Sequence, residues 1–269
     1  MASQPDALDR DSLLESVRRA QARSRLSFRV WFALTWFVLV GGLIFTLWAT
    51  GNIDLAFISE WAPYILGGAG LTILLCVTSI VFATILAVFG AIARLSPNPV
   101  INGVASLYVS LVRGTPLIVQ IVFIFLALPQ LGIRIPAVPA GIIALSFNYG
   151  AYMTEIFRAG IQAVPPGQRE AAQAVGMPER LIMRRIVLPQ AVRIVIPAIG
   201  NDFVAMIKDS ALVSIIAVQE LLWRAQNVGR QNFRTLEALL IAALVYWLLT
   251  IIFSTFQERL ERRMARGDR

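Results

Sequence analysis

The sequence predicts an all-α integral membrane protein with six transmembrane helices, and three observations carry that prediction. Hydrophobic residues fill 57% of the 269 positions, too many for a soluble domain with an ordinary polar surface. They gather into six runs of the length, about 20 residues, that a helix needs to cross the hydrocarbon core of a bilayer. Lys and Arg are divided unevenly among the polar segments between those runs, as topology requires of a chain threaded through a membrane.

In chain order, residues 1–29 form an Arg-rich tail with Arg10, Arg18, Arg19, Arg23, Arg25 and Arg29. Asp11 to Arg25 reads as a short surface helix with Leu13, Leu14 and Val17 on one side. A signal peptide is not expected, because the polar tail is long and no cleavage pattern ends the first apolar run. The first span is Val30 to Ala49, and the loop Thr50 to Pro63 holds Asp54 and Glu60 but no Lys or Arg. The second span, Tyr64 to Ala93, is long enough to tilt. Gly67, Gly68 and Gly70 at its start allow a neighbouring backbone to come close. Arg94 and the Pro97/Pro99 turn end it. The third span, Gly103 to Leu128, is interrupted by Arg113-Gly114-Thr115-Pro116, and a short loop with Arg134 leads to the fourth, Val138 to Phe157. The fifth is Ile194 to Val218, the sixth Leu236 to Phe256, with a polar loop, Gln219 to Thr235, between them. The tail carries Arg259, Arg262, Arg263, Arg266 and Arg269.

Six spans put both termini on one side. On that side fall 18 of the Lys and Arg residues, against four in the three loops opposite; Arg113 and Lys208 lie within spans. The excess belongs in the cytoplasm, so both termini and the 158–193 loop are expected there. The net charge of +8 is scattered between apolar spans, which topology explains and nucleic-acid binding does not.

The longest polar interruption contains Glu170 to Pro189, within residues 166–189. Helix formers from Gln168 to Ala174 lead to Gly176, where a left-handed helix cap needs no Cβ. Pro178 suits the first position of a second short helix, which then meets Pro189. Glu170-Ala171-Ala172, three residues, Gly176, nine residues, Ile186, one residue, Leu188-Pro189 resembles the complete EAA loop of ABC-importer permeases with a MetI-like type I transmembrane domain. The resemblance covers residues 64–260. It implies a five-helix permease core, with the tail 1–29 and the span and loop 30–63 as an N-terminal addition, and 261–269 as a C-terminal tail. It further implies that Glu170, Ala171, Ala172, Gly176, Ile186, Leu188 and Pro189 couple to an ATP-binding subunit. The bland alternative is an ordinary helix-turn-helix between spans.

Within that family the likeness is greatest to permeases for polar amino acids, of the His/Gln/Glu/Arg type. Arg113-Gly114-Thr115-Pro116 with Gln120, then Tyr152, Glu155, Arg158 and Gly160, then Gly200-Asn201 and Ile207-Lys208-Asp209-Ser210 carry it. Met153-Thr154 before Glu155 and Ala211 after Ser210 depart from the pattern. The resemblance implies two ATP-binding subunits, a second permease, identical or homologous, and an extracytoplasmic solute-binding protein, all at a bacterial inner membrane.

The chain itself offers no nucleotide loop of the form G-x-x-x-x-G-K-[ST], because its only lysine, Lys208, lies between Ile207 and Asp209. ATP and Mg are therefore expected in the partner subunit, and no cofactor on this chain. There is no His, and the one cysteine, Cys76, permits no intrachain disulfide. Charges at membrane depth are costly and usually face protein or water. Lys208 and Asp209 fall near the middle of the expected fifth span; Asn201 shares a face with Lys208, and Asp202 with Asp209. Asn201, Lys208 and Asp209, with Thr115 and Glu155, are the candidates to line a substrate path. The alternative is that they are structural, in buried ion pairs, with Glu155 and Arg158 a helix-surface pair. The rival functions are an ABC permease for another small solute and a self-contained carrier or channel, against which the EAA loop and the lack of an internal repeat both argue.

The orientation is testable by single-cysteine labelling in a Cys76→Ser background. A cysteine at Asn52 is expected to react with an impermeant thiol reagent outside intact cells, and one at Ser24 to stay silent; the opposite pattern contradicts it.

Overall fold

The computed structural model describes residues 7–49 and 53–265, and among them all regular structure is helical. Residues 1–6 of the N-terminal tail, Thr50, Gly51 and Asn52 of the first loop, and Arg266 and Arg269 of the C-terminal tail lie outside the described residues. The chain divides into two compact units, Met1–Leu55 and Ala56–Arg269.

The described residues of the first unit are almost all in one helix, α1 (Ala7–Ala49), of 43 residues. At 1.5 Å per residue it is about 65 Å long, twice the hydrocarbon thickness. The separate surface helix expected at Asp11 to Arg25 is thus the N-terminal part of a continuous rod. The reason is local: no Gly or Pro interrupts residues 7–40. Phe28, Phe32 and Trp36 follow each other at i, i+4, with successive ring centroids 6.1 Å apart, on an exposed face.

The second unit begins with α2 (Leu55–Leu66) and α3 (Gly68–Arg94), two parts of one apolar stretch broken at Gly67. Most of the loop expected before Tyr64 is therefore helix. Next come α4 (Pro99–Arg113), capped by the Asn98 side chain, and α5 (Leu117–Val122), which runs on through a wide π turn to Leu131. The axes on either side of Gly114-Thr115-Pro116 differ by 104°. The interruption expected in the third span is real and sharp. α6 (Ala137–Gln162) is the most enclosed helix and packs along α3. A Cβ on Gly90 would lie 2.2 Å from Thr154 Oγ1, so the larger Met153-Thr154 pair is fitted by a glycine on the facing helix.

Two short helices, α7 (Pro166–Ala174) and α8 (Glu179–Ile182), follow. Then come α9 (Leu188–Asp209), α10 (Leu221–Gln231) and α11 (Thr235–Ala265). The expected fifth span stops early. α9 ends at Asp209, a 3-10 turn covers Ser210–Ile216, and Ala217 closes it at φ +61°. Lys208 and Asp209 sit at a helix end rather than in mid-span. The Ser210 hydroxyl, donating to the Ile207 carbonyl, satisfies a group that the ending helix leaves free.

α10 lies where a polar loop was expected. Its buried Leu221, Ala225 and Val228 recur at helical spacing, and Glu220 caps it by accepting from the Trp223 amide at 2.8 Å. Glu220 is fully buried, also accepting from the Thr72 and Tyr246 hydroxyls, so one carboxylate ties α10 to α3 and α11. In this unit α2–α3 and α11 are long and apolar enough to cross a membrane, and α4 with α5 qualifies as a bent pair. α6 and α9 fall short because they carry Asn148, Glu155 and Arg158, and Arg193, Asp202, Lys208 and Asp209.

The contact between α3 and α10 is close. A Cβ on Gly68 would lie 2.7 Å from the Leu221 Cα, and backbone cannot yield as a side chain does. Gly68→Ala is expected to cost about 1–3 kcal/mol of stability, read as a lower melting temperature of the purified protein. Gly70→Ala, with nothing within 4 Å, is the control. Equal melting of the two variants contradicts the packing argument.

Candidate functional site

The break between α4 and α5 leaves carbonyls without helical donors. Thr115 Oγ1 donates to the Leu111 carbonyl at 2.9 Å, and Gln120 Nε2 to the carbonyls of Val112 and Thr115 at 2.8 and 3.1 Å. Gln120 Oε1 accepts from Asn148 on α6 at 3.2 Å. The bend is thus closed by side chains, which an irregular backbone inside an apolar layer requires.

Beneath the bend is a cavity of about 510 Å³, within the range of small-molecule sites. One wall is Arg113 to Leu117, a second is Asn148, Tyr149 and Tyr152 of α6, and a third is Asp202, Ala205 and Asp209 of α9. Asp202 and Asp209 are seven residues apart and so lie two turns apart on one face. Tyr149 donates its hydroxyl to Asp209 Oδ2 at 2.8 Å. Asp202 Oδ2 is buried without a hydrogen-bond partner. The Arg113 guanidinium lies over the Tyr152 ring, 5.1 Å from its centroid. One cation and two carboxylates therefore border one space, which is open on one side. A ligand with an ammonium and a carboxylate could satisfy both kinds of charge there, and leaving either unpaired at low dielectric costs several kcal/mol.

Of the residues expected to line a path, Thr115 and Asp209 are on this wall. Asn201, Lys208 and Glu155 are not. Asn201 and Lys208 each precede a cavity-facing aspartate by one residue, which turns them about 100° away. Asn201 Oδ1 accepts from Gln257 Nε2 on α11 at 2.7 Å, and Lys208 is exposed. Glu155 is held between Arg94 and Arg158. Arg113, Asn148, Tyr149, Tyr152 and Asp202 were not among the expected path residues. The seven-residue spacing of Asp202 and Asp209 was the signal for one of them.

The polar loop has the expected two helices and turn. Gly176 takes φ +80°, with no atom within 4 Å of where its Cβ would be, so the demand for glycine is conformational rather than steric. The Met177 amide donates to the Ala172 carbonyl at 3.0 Å and the Gly176 amide to the Gln173 carbonyl at 2.9 Å, closing the α7 terminus. Arg169 pairs with Glu179 at 3.2 Å across the turn. Pro178 stands just before α8 rather than at its first position. The second helix does not stop at Pro189 either. A π turn over Met183–Val187 carries α8 into α9, and Pro189 falls in the first turn of α9. The wider turn gives the Pro ring, which bears no N–H, a place in the rod.

Ala171, Ala172 and Ile186 border a shallow groove beside Val175, which is 76% exposed. Glu170 faces a separate cleft with Gln162 and Arg169. Leu188 is 41% exposed at the start of α9.

Residues 86–266 match the family described as the binding-protein-dependent transport system inner membrane component. The L-cystine transport system permease protein TcyB of Bacillus subtilis (strain 168) is 42% identical over 79% of this chain and 91% of its own length. The arginine transport system permease protein ArtQ of the same organism is 36% identical over 81% of this chain and 100% of its own. A solved structure described as an amino acid ABC transporter with histidines superposes with a TM-score of 0.76 at 38% identity, over 79% of this chain and 99% of that one. An inward-facing MetNI methionine ABC transporter, at 18% identity and a TM-score of 0.59 over 78% of this chain and 97% of that one, shares the fold.

Proposed function

The chain belongs to the family of binding-protein-dependent transport system inner membrane components, and from that premise we propose that it forms the path of a polar amino acid through an ATP-driven importer. It is a membrane permease subunit, not the catalytic one. Two ATP-binding subunits, carrying ATP and Mg, dock on the α7 loop from the cytoplasm. A second permease completes the pathway, and an extracytoplasmic binding protein delivers the substrate. The Arg asymmetry supports cytoplasmic termini.

The observation that carries the substrate class is the cavity, where Arg113 stands opposite Asp202 and Asp209. The amino acid α-carboxylate is assigned to Arg113, and the ammonium group to the unpartnered oxygen of Asp202. The relatives named for cystine and arginine are consistent with a substrate bearing both charges.

Asp202→Asn and Arg113→Gln are each expected to raise the KM for amino acid uptake by roughly tenfold or more, the worth of a charged hydrogen bond. ATP hydrolysis stimulated by the loaded binding protein should persist. The measurement is uptake of a panel of labelled amino acids into vesicles holding the assembled complex. Unchanged KM in both variants, with a changed KM in Lys208→Ala, contradicts the assignment.

Coupling has its own test. A side chain at the left-handed Gly176 costs about 1 kcal/mol or more and re-aims the turn between α7 and α8. Gly176→Val should abolish ATP-driven uptake while membrane expression stays normal; full uptake contradicts the docking role.

A further inference from the structure

Glu155, absent from the cavity, has an arrangement that packing alone does not require. It is about one-fifth exposed, and each of its oxygens serves a different helix. Oε1 accepts from Arg94 Nε of α3 at 3.0 Å. Oε2 accepts from Arg158 Nε and Nη2 of α6 at 2.9 and 2.7 Å. Arg94 extends the network onto α4, donating to Asn102 Oδ1 at 3.1 Å and to the Ser106 hydroxyl, while Asn102 Nδ2 donates back to the Arg94 carbonyl at 2.7 Å. Arg158 extends it the other way, donating to Gln162 Oε1 at 2.6 Å. Gln162 is the last residue of α6 and borders the cleft that Arg169 and Glu170 of α7 also line.

The hydrogen-bonded chain therefore runs from the α7 cleft, through α6 and α3, to α4. At its other end α4 carries Arg113 on the cavity wall, stacked on Tyr152. Tyr152 is three residues before Glu155, one turn along α6. α4 and α6 are thus joined by the charged network at one end and the cavity pair at the other, with the Tyr108 hydroxyl donating to the Phe147 carbonyl at 2.8 Å between them. Three helices that only needed fastening could be fastened as well by apolar side chains of the same volume. What ion pairs add is the capacity to break and re-form with defined partners as helices shift.

We propose that Glu155 is a positioning residue that relays movement of the α7 loop to the α4 wall of the cavity. The relay rests on the reading that ATP drives transport through α7. A displacement of α6 at Gln162 alters the grip of Arg158 on Glu155, and through Arg94 the seating of α4. Substrate never touches Glu155; its loss separates hydrolysis from transport rather than abolishing either partner's binding.

The experiment uses the full chain assembled with its ATP-binding and solute-binding partners in vesicles, recording ATP hydrolysis and uptake of labelled L-arginine and L-cystine together. In Glu155→Gln, amino acid moved per ATP hydrolysed is expected to fall by roughly tenfold or more while hydrolysis stays near the wild-type rate. Glu155→Asp, which keeps the charge, should recover most of the ratio. Arg94→Lys, which keeps the charge but cannot serve Glu155 and α4 with one planar fork, should lower the ratio as Glu155→Gln does, and it decides the matter if Glu155→Gln fails to assemble. An unchanged ratio, or hydrolysis and uptake falling in proportion, overturns the relay. A wild-type complex that takes up neither these two nor any other of a panel of labelled polar amino acids with ATP overturns the transport reading on which the relay rests.

Discussion

An apolar layer tolerates broken backbone only where something else supplies the missing hydrogen bonds, and the second unit depends on how this is done at Gly114-Thr115-Pro116. There the Gln120 side chain and the Thr115 hydroxyl take the carbonyls that the helix abandons. With those groups satisfied, the chain can turn by 104°. The turn sets Arg113 at one edge of a space that α6 and α9 border on the other sides. Without it α4 and α5 would be a straight span and the cavity would lose a wall. The same bond-keeping appears elsewhere in the unit, where Glu220 caps α10 and holds Thr72 and Tyr246.

The cavity and the α7 loop share a rod. α8 passes through the π turn into α9 without a break, so Ile186 beside the groove and Asp202 in the cavity lie on one continuous helical path. A ligand or partner can shift a conformational equilibrium only by binding its states differently. In the proposed relay, a partner seated against Ala171 and Ile186 acts on α9 directly, and on α4 by way of α6 and Glu155. On the function proposed above, polar residues that cost stability in α6 and α9 serve both substrate contact and movement.

Legibility in the sequence followed the strength of local chemistry. Gly176 was readable because only glycine enters the left-handed region cheaply, and its φ of +80° agrees. The interruption before Leu117 was readable from Gly and Pro together. Helix ends were less so. Nothing between Arg29 and Val30 could stop α1, and no single residue announced that α9 would end at Asp209, since the 3-10 turn that follows is as apolar as a span. α10 hid because its polar Arg224, Gln226, Asn227, Arg230 and Gln231, the last two exposed and the others half-buried, outweigh its buried stripe of Leu221, Ala225 and Val228 in composition, though not in spacing. Lys208 drew attention as the sole lysine, yet helical geometry gave the cavity to its neighbour Asp209.

In the proposed function, substrate passes through the cavity beneath the α4–α5 bend. Thr115→Cys, in a Cys76→Ser background, places a thiol on its wall, and Asn201→Cys places one off it. In the assembled complex, the transported amino acid with its binding protein should slow alkylation of the first and leave the second unchanged. Equal alkylation of the Thr115→Cys variant with and without substrate, under conditions in which transport proceeds, would contradict it.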